Sequence, residues 1–244
     1  IQGRRYGSPN IWGGAGIGHH RDHAPLDPAG LSLMALFDPA YAGRLTMRED
    51  TAFVAAGRAL EAAGQLPYPF DDSYRSEDRM IANYDIIAHF LADHASHVAR
   101  FWFSEEEGME AFRSGACVVG YSWDTTMAAL QREGFPGNFI APIEGTNCYL
   151  QNFVLSAKAD PGPAQDWIAW VNTPQGSAQY ATAFGANPTA RGARALLPAQ
   201  DQSFFAASYP AEALAKLWWQ PEQPLWFVKH RGEYARRYRM AVEG

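Results

Sequence analysis

The chain is predicted to be an α/β protein with mostly parallel sheets, and three observations lead to that prediction. The composition is that of a globular protein, with 47% hydrophobic and 19% charged residues among 244. Strand-like and helix-like segments alternate along most of the chain, which is typical of sheets covered by helices. No apolar run reaches the roughly 18 residues of a membrane span. The length suits one large domain or two lobes of ~100 residues each.

The first predicted strand covers residues 10–18, which are apolar and rich in glycine. Glycines inside a strand indicate that another part of the molecule approaches the backbone closely. A phosphate-binding loop is the alternative, but His19 stands where the dinucleotide pattern beginning at Gly14 and Gly16 needs a third glycine. Pro25 would also interrupt the helix that such a loop opens. A buried strand is therefore the favoured interpretation.

Helix signals follow in the next segment of the chain. Residues 50–63 are predicted to form a helix with Asp50 as an acidic N-cap, and residues 76–95 to form a second one. A short strand at residues 101–103 precedes a third helix, for which Ser104 and the glutamates after it form a capped, dipole-matched start.

The second half of the chain begins with an apolar strand at residues 116–123 and a helix at residues 124–134 capped by Asp124. Strands are predicted at residues 139–142 and 149–156. Five further helices are predicted over residues 163–172, 174–184, 188–197, 210–219 and 232–242.

Charge excludes some classes of partner. The formal net charge is −6 and no long basic run occurs, so nucleic acid and anionic membranes are poor partners and direct membrane insertion is not expected. Basic residues near the C-terminus alternate with Tyr234 and Tyr238, as on the solvated face of an amphipathic helix. Cys117 and Cys148 fit two buried free thiols, with a single disulfide as the alternative.

Catalytic chemistry has one candidate, the histidine cluster of His19, His20 and His23 around Asp22. Histidines and a carboxylate at this spacing can bind zinc, so a metal-dependent enzyme is the alternative function. The spacing is loose and a solvated loop is favoured. Neither a Gly-x-Ser-x-Gly elbow nor a His-Glu-x-x-His motif occurs in the sequence. No enzyme activity, resident metal or cofactor is expected.

Several stretches in order along the chain carry a resemblance to a known family. They are residues 9–13 (Pro-Asn-Ile-Trp-Gly), the block at 36–45, residues 120–123 (Gly-Tyr-Ser-Trp), Glu144 with Gly145, residues 167–172 with 174–176, and residues 187–189 ahead of Arg191. Together they resemble the spermidine/putrescine-binding proteins, which are periplasmic solute-binding proteins of ABC transporters.

The resemblance implies a two-lobed periplasmic binding protein fold of type II-like organisation, with a ligand held between the lobes. Residues 1–22 and 149–197 match the first lobe, and residues 23–148 and 198–244 match the second. The first lobe is expected to be incomplete, because the resemblance matches residues 1–22 to the last strand of that lobe and leaves its first half and the signal peptide without a counterpart. Apolar sheet and open strand edges are therefore expected around Trp12 and Phe153. A periplasmic location and a membrane permease of an ABC transporter as partner are also implied.

The ligand site implied by the resemblance consists of Asp50, Trp123, Tyr149 and Gln151. Aromatic faces hold an ammonium compound through cation–π attraction of ~0.5–2 kcal/mol per contact, while a carboxylate replaces lost water. Gln151 stands where polyamine binders carry an aspartate, and Phe53 where a second carboxylate can sit. The expected ligand is therefore an amine-containing solute, either a polyamine or a less charged mono-amine, amino-acid derivative or zwitterion.

Some of these residues also have a purely structural interpretation. Trp123 at the end of a strand also fits a plain core position, and Asp50 and Asp124 are each explained as helix caps. Tyr149 and Gln151 lie two apart on one strand face, which favours a shared surface.

Overall fold

The strands of the described part of the chain, residues 6–244 of a computed structural model, form one mixed sheet in the order β3-β2-β4-β1-β6-β8, with β5 and β7 also paired to β1. The strands are β1 (Ser8–His20), β2 (Leu45–Met47), β3 (Val98–Phe101), β4 (Val119–Trp123), β5 (Gly137–Ile140), β6 (Asn147–Phe153), β7 (Asn187–Pro188) and β8 (Trp218–Trp219).

The helices flank this sheet on both faces. They are α1 (Ala52–Ala62), α2 (Glu77–Asp93), α3 (Glu105–Arg113), α4 (Asp124–Arg132), α5 (Pro161–Val171), α6 (Pro174–Phe184), α7 (Ala199–Ser208), α8 (Ala211–Leu214) and α9 (Leu225–Glu243). Within residues 6–244, no helix has the length and apolar character that crossing a bilayer requires.

Strand β1 runs through the whole sheet and changes partners in its middle. On one side, its residues 17–20 pair with β5 and residues 8–15 pair with β6; on the other side, residues 15–19 pair with β4 and residues 11–12 with β7. All four pairings are antiparallel. The expected parallel pairing holds for β2 with β3 and β4 and for β6 with β8. The fold class, α/β with flanking helices, is confirmed, and the sheet is mixed because β1 runs against all of its neighbours.

The glycines of β1 have the structural reason that the sequence indicated. A Cβ on Gly16 would lie 2.7 Å from the ring of Phe139 and 2.9 Å from the carbonyl oxygen of Ile140. A Cβ on Gly18 would lie 2.8 Å from Met127. Side chains from the covering layer therefore pack directly on the β1 backbone, and the prediction of close approach is confirmed.

Two hydrophobic clusters cover the two faces of the sheet. The larger one packs α1, α2 and α9 against β2 and β4, and Phe53 stacks on Tyr84 with ring centroids 5.2 Å apart. The smaller one joins α3, α4, α6 and α7 and contains Phe112, Met127 and Phe205. Phe53 is fully buried, so the position where a carboxylate was considered is a core position.

The helix prediction for residues 188–197 is wrong. Asn187 and Pro188 pair with Trp12 and Ile11 of β1, and the chain then forms only a short 3-10 helix at Ala193–Leu196. Pairing with β1 holds the first residues extended, and Gly192 with a φ of 83° separates them from the 3-10 turn. The positive φ is incompatible with a continuous right-handed helix.

The helix predicted at residues 210–219 is also wrong over most of its length. Only α8 forms, because Trp218 and Trp219 pair with Asn147 and Cys148 of β6. Helix α7 was not predicted. The final helix α9 begins earlier than expected and buries Tyr234 and Tyr238 against Phe53, with ring centroids 5.8 and 6.2 Å away. Its arginines at 236 and 237 are exposed, as predicted.

Within residues 6–244, the expected open strand edge is absent around Trp12 and present around Phe153. Around Trp12, β1 is paired on both sides, with Leu150 and with Asn187, so no bare edge exists there. Around Phe153, β6 pairs with β1 on one side only; on the other side β8 reaches no further than Cys148 in the described part of the chain. The lobe boundaries stay a prediction. Both cysteines are buried free thiols.

Candidate ligand-binding site

A cavity of about 310 Å³ lies where β1, β4 and β6 meet. Its wall combines aromatic rings with amides and hydroxyl groups and includes one carboxylate. The polar and aromatic lining residues are Thr51, Glu105, Trp123, Thr125, Asn147, Tyr149, Gln151, Phe184 and Gln220. Aromatic faces beside a few polar groups are typical of small-molecule sites.

Three of the four residues expected to bind ligand line this one cavity: Trp123, Tyr149 and Gln151. The pairing of β1 explains how they meet. Ala15 pairs with Trp123 of β4, and Gly13, two residues earlier, pairs with Tyr149 of β6. Residues 123 and 149 therefore reach the same place from opposite sides of β1. Their role as ligand contacts stays a prediction.

Asp50, the fourth expected residue, is not part of the cavity lining. Its Oδ1 lies 3.3 Å from Nε of Arg48 in an ion pair. The predicted N-cap is wrong, because α1 has Thr51 as its N-cap, without a side-chain hydrogen bond. The guanidinium of Arg48 in turn lies 5.9 Å from the ring centroid of Trp123. Asp50 therefore does not line the cavity. It pairs with Arg48, and Arg48 lies against the ring of Trp123 in the cavity wall.

Trp123 is held in place by its neighbours. Its ring meets that of Trp102 edge to face, with centroids 4.9 Å apart, and Trp102 is buried. Arg48 also lies over Trp102, at 5.5 Å. Trp123 thus packs partly against the larger core and partly faces the cavity, so the core interpretation and the wall interpretation each describe one side of the ring.

Glu105 is a cavity residue that the sequence argument missed. Three glutamates open α3 and two have local partners: Glu107 completes the capping box with Ser104, and Glu106 bonds Arg113 at 2.6 Å. Glu105 lines the cavity, and its buried Oε1 accepts no hydrogen bond from residues 6–244. The signal available in the sequence was that a capping box needs only the third glutamate.

Asp124 is fully buried immediately behind the cavity wall, between Trp123 and Thr125. The prediction that it caps α4 is wrong, since the N-cap is Trp123 and Asp124 is the first helical residue. Its Oδ2 accepts hydrogen bonds from the hydroxyl of Tyr209 at 2.7 Å and from Nδ2 of Asn187 at 3.4 Å. Burial raises the pKa of the Asp124 carboxyl to about 7, although the hydrogen bond from Tyr209 acts in the opposite direction.

The histidine cluster does not form a metal site in the structure. His19 is buried and its Nδ1 bonds the carbonyl oxygen of Ala24 at 2.7 Å, while the rings of His20 and His23 pack together 4.3 Å apart. Across residues 6–244, no group of three side chains is placed to hold a metal ion. The metal-dependent enzyme therefore has no support.

Comparison with known proteins adds a fold-level relationship. No protein-family model and no curated protein matches the chain. Among solved structures, it is similar to a spermidine/putrescine ABC transporter protein from Listeria monocytogenes, with 19% identity and a TM-score of 0.75 over 96% of this chain and 69% of that one.

Two further solved structures are similar. A spermidine/putrescine ABC transporter substrate-binding protein from Streptococcus pneumoniae, in complex with calcium and HEPES, has 14% identity and a TM-score of 0.76 over 97% of this chain and 69% of that one. A periplasmic binding protein from A. tumefaciens B6 in complex with glucopine has 14% identity and a TM-score of 0.69 over 98% and 72%. The periplasmic binding protein fold expected from the sequence is therefore confirmed.

Proposed function

We propose that this protein is the substrate-binding component of an ABC transporter and captures a small amine-containing solute. The observation that carries the proposal is the cavity of about 310 Å³ whose lining combines the rings of Trp123, Tyr149 and Phe184 with the carboxylate-bearing side chain of Glu105. A positive ammonium group is stabilised by aromatic faces and by a carboxylate that replaces its water. The function is binding without chemical change, in the periplasm, followed by delivery to a membrane permease.

The charges favour a ligand with a single ammonium group. Among residues 6–244, Glu105 is the one carboxylate that lines the cavity; Asp50 lies outside the lining and pairs with Arg48, and Gln151 is uncharged. A polyamine with several separated charges would need a carboxylate near each of them, because an unpaired buried charge is costly. The amides of Asn147, Gln151 and Gln220 suit hydrogen bonds to a second, neutral or zwitterionic end of the solute.

The position of the cavity supports capture by closure of two lobes. It lies beside the middle of β1, between the segment paired with β4 and β5 and the segment paired with β6 and β7. With residues 1–22 and 149–197 in one lobe and residues 23–148 and 198–244 in the other, Tyr149 and Gln151 would close on Trp123 and Glu105. A small rotation about β1 then changes the width of the cavity.

The test is calorimetric titration of the purified chain with putrescine, spermidine and GABA. The HEPES bound in one similar structure makes a HEPES-free phosphate buffer necessary. We expect one molecule bound per chain, recovered unchanged, and about a tenfold loss of affinity in Trp123→Ala. Trp167→Ala removes an exposed tryptophan away from the cavity and is the matched control. Absence of binding by every amine would refute the proposal.

A further inference from the structure

The carboxyl group of Asp124 lies in the sequence between two cavity-lining residues but is itself 0% exposed. Its hydrogen-bond donors come from separate parts of the chain. Tyr209 follows α7, Asn187 belongs to β7, and the backbone N–H of Thr125 belongs to α4. Besides its neighbour Thr125, two residues that are distant in sequence, Asn187 and Tyr209, therefore converge on one acid.

The aromatic wall of the cavity also lies next to Asp124. A Cβ on Gly13 of β1 would collide both with the hydroxyl of Tyr149 and with Oδ1 of Asp124, so these two oxygens crowd the same face of Gly13. Only glycine leaves room for them. Tyr149 itself lines the cavity. The carboxyl group thus lies beside the hydroxyl end of one of the rings that a ligand would contact.

Among residues 6–244, the ionisable groups that interact most strongly with Asp124 carry no positive charge. They are Glu105 from α3, Tyr149 and Cys148 from β6, and Tyr209 from the end of α7. Glu105 is itself acidic and opposes ionisation of Asp124. A buried carboxylate without a counter-charge is unstable, so near neutral pH the group retains its proton in part of the molecules. A bound cation would stabilise the ionised form of the Asp124 carboxyl group.

We propose that Asp124, which is outside the cavity lining, adds a second negative charge near the same single ammonium group and that it loses its proton to solvent when that group binds. This inference rests on the proposed function. The ammonium would face Glu105 on the cavity wall and Asp124 behind Tyr149. No covalent bond to the ligand forms, and charge balances because one proton leaves as one cation enters. Asp124 does not contact the ligand directly, because Tyr149 lies between the two. Asp124 is therefore a positioning residue that contributes a negative charge.

Coupling between amine binding and ionisation of Asp124 fixes the direction in which affinity changes with pH. If binding requires the ionised form of an acid that titrates near pH 7, affinity rises with pH and levels off above the pKa of the free protein. Between pH 6 and pH 8 the expected gain is about tenfold, because the ionised fraction rises from about a tenth to about nine tenths.

The experiment measures the affinity of the tightest-binding amine among putrescine, spermidine and GABA at pH 6, 7 and 8. Proton release is followed at pH 7 with an indicator dye in weakly buffered solution. Wild-type protein is expected to bind about tenfold more tightly at pH 8 than at pH 6 and to release a fraction of a proton. Asp124→Asn should bind more weakly at pH 8, with a flat pH profile and no proton release. Glu106→Gln, an exposed neighbour of Glu105 on α3, should behave as wild type.

The outcomes separate the two proposals. If no amine binds, the proposed function and this inference both fail. If an amine binds with no pH dependence and no proton release, only the role of Asp124 is overturned. The same follows if folded Asp124→Asn, checked by circular dichroism, keeps the wild-type slope. Should the variant not fold, the proton release of the wild type and its slope decide.

Discussion

Helices α1 and α5 each have 11 residues and are both largely apolar, yet their surroundings are opposite. In α1, eight residues are buried, and Phe53 lies in an aromatic cluster with Tyr84, Tyr234 and Tyr238. In α5, Val171 is the one buried residue, and Trp167 and Trp170 pack against each other at the surface with ring centroids 5.0 Å apart. Apolar character therefore does not determine which helix anchors the fold. The half around α1 is expected to hold most of the stability.

Exposed apolar residues also occur at the end of β6. Val154, just past the strand, is 70% exposed and Leu150 is 44% exposed. The outer edge of residues 149–153 pairs with no strand of the described chain. Single exposed apolar residues are ordinary, whereas an open strand edge leaves backbone groups free to pair with another strand. Two residues of the candidate site, Tyr149 and Gln151, are on this less protected side.

The strongest test of the comparison is Phe53→Ala in α1. Removing a fully buried aromatic side chain from a stacked cluster leaves a cavity and is expected to lower the free energy of unfolding by about 3–5 kcal/mol. Urea denaturation followed by circular dichroism measures the change. A loss below about 1 kcal/mol would mean that α1 is not an anchor of the fold.

Asp124 predicts how stability changes with pH in the second cluster. Its pKa in the folded protein is raised to about 7 from a usual value of 3.8, so the folded state holds more protons than the unfolded state between these values. Stability from this group is therefore highest in acid and is lost as pH rises from about 4 to about 7. Asp124→Asn should remove that falling component in urea titrations across this range. An unchanged slope in the variant would show that Asp124 ionises freely.

For His19 we expect the opposite dependence of stability on pH. Burial lowers its pKa in the folded protein, so the unfolded state binds more protons once the pH falls below about 6.5. Its contribution to stability is complete above that pH and is lost on acidification. His19→Asn retains a donor for the carbonyl oxygen of Ala24 and should lose less stability between pH 7 and pH 5 than the wild type. Equal losses in the two proteins would assign the acid sensitivity to other groups.

The smallest effect is expected on the α5 side. Trp167 is 48% exposed, so Trp167→Ser should change the free energy of unfolding by no more than about 1 kcal/mol. It should also reduce binding of the dye ANS, which reports exposed apolar surface. A destabilisation as large as that of Phe53→Ala would contradict the contrast between the two helices.

Several local features could be predicted from the sequence because their causes are local. Ser104 forms its capping box with Glu107, Ser76 caps α2, and α6 has the expected bounds from Pro174 to Phe184. The glycines of β1 were correctly taken to mean close packing on the backbone. Each of these depends on residues within a few positions of one another or on a backbone preference that glycine alone satisfies.

Features that depend on distant partners were not predictable in this way. Residues 187–188 and 218–219 became strands because β1 and β6 offered open hydrogen-bonding edges to them. Asp50 and Asp124 have the residue type of helix caps, yet one pairs with Arg48 and the other is enclosed by Tyr209 and Asn187. Glu105 differs from Glu106 and Glu107 only by the direction in which α3 presents it.

The sequence by itself determined the α/β class, most of the helices and the aromatic residues Trp123 and Tyr149 as candidates for a shared wall, since periodicity, capping and strand alternation act over short distances. Only the tertiary structure decided that these rings meet across β1, that Glu105 joins them, and that Asp124 lies ionisable and buried beside the hydroxyl of Tyr149. Those properties depend on burial and on charges brought together from segments far apart in the chain. Burial and long-range electrostatics exist only once the sheet has formed.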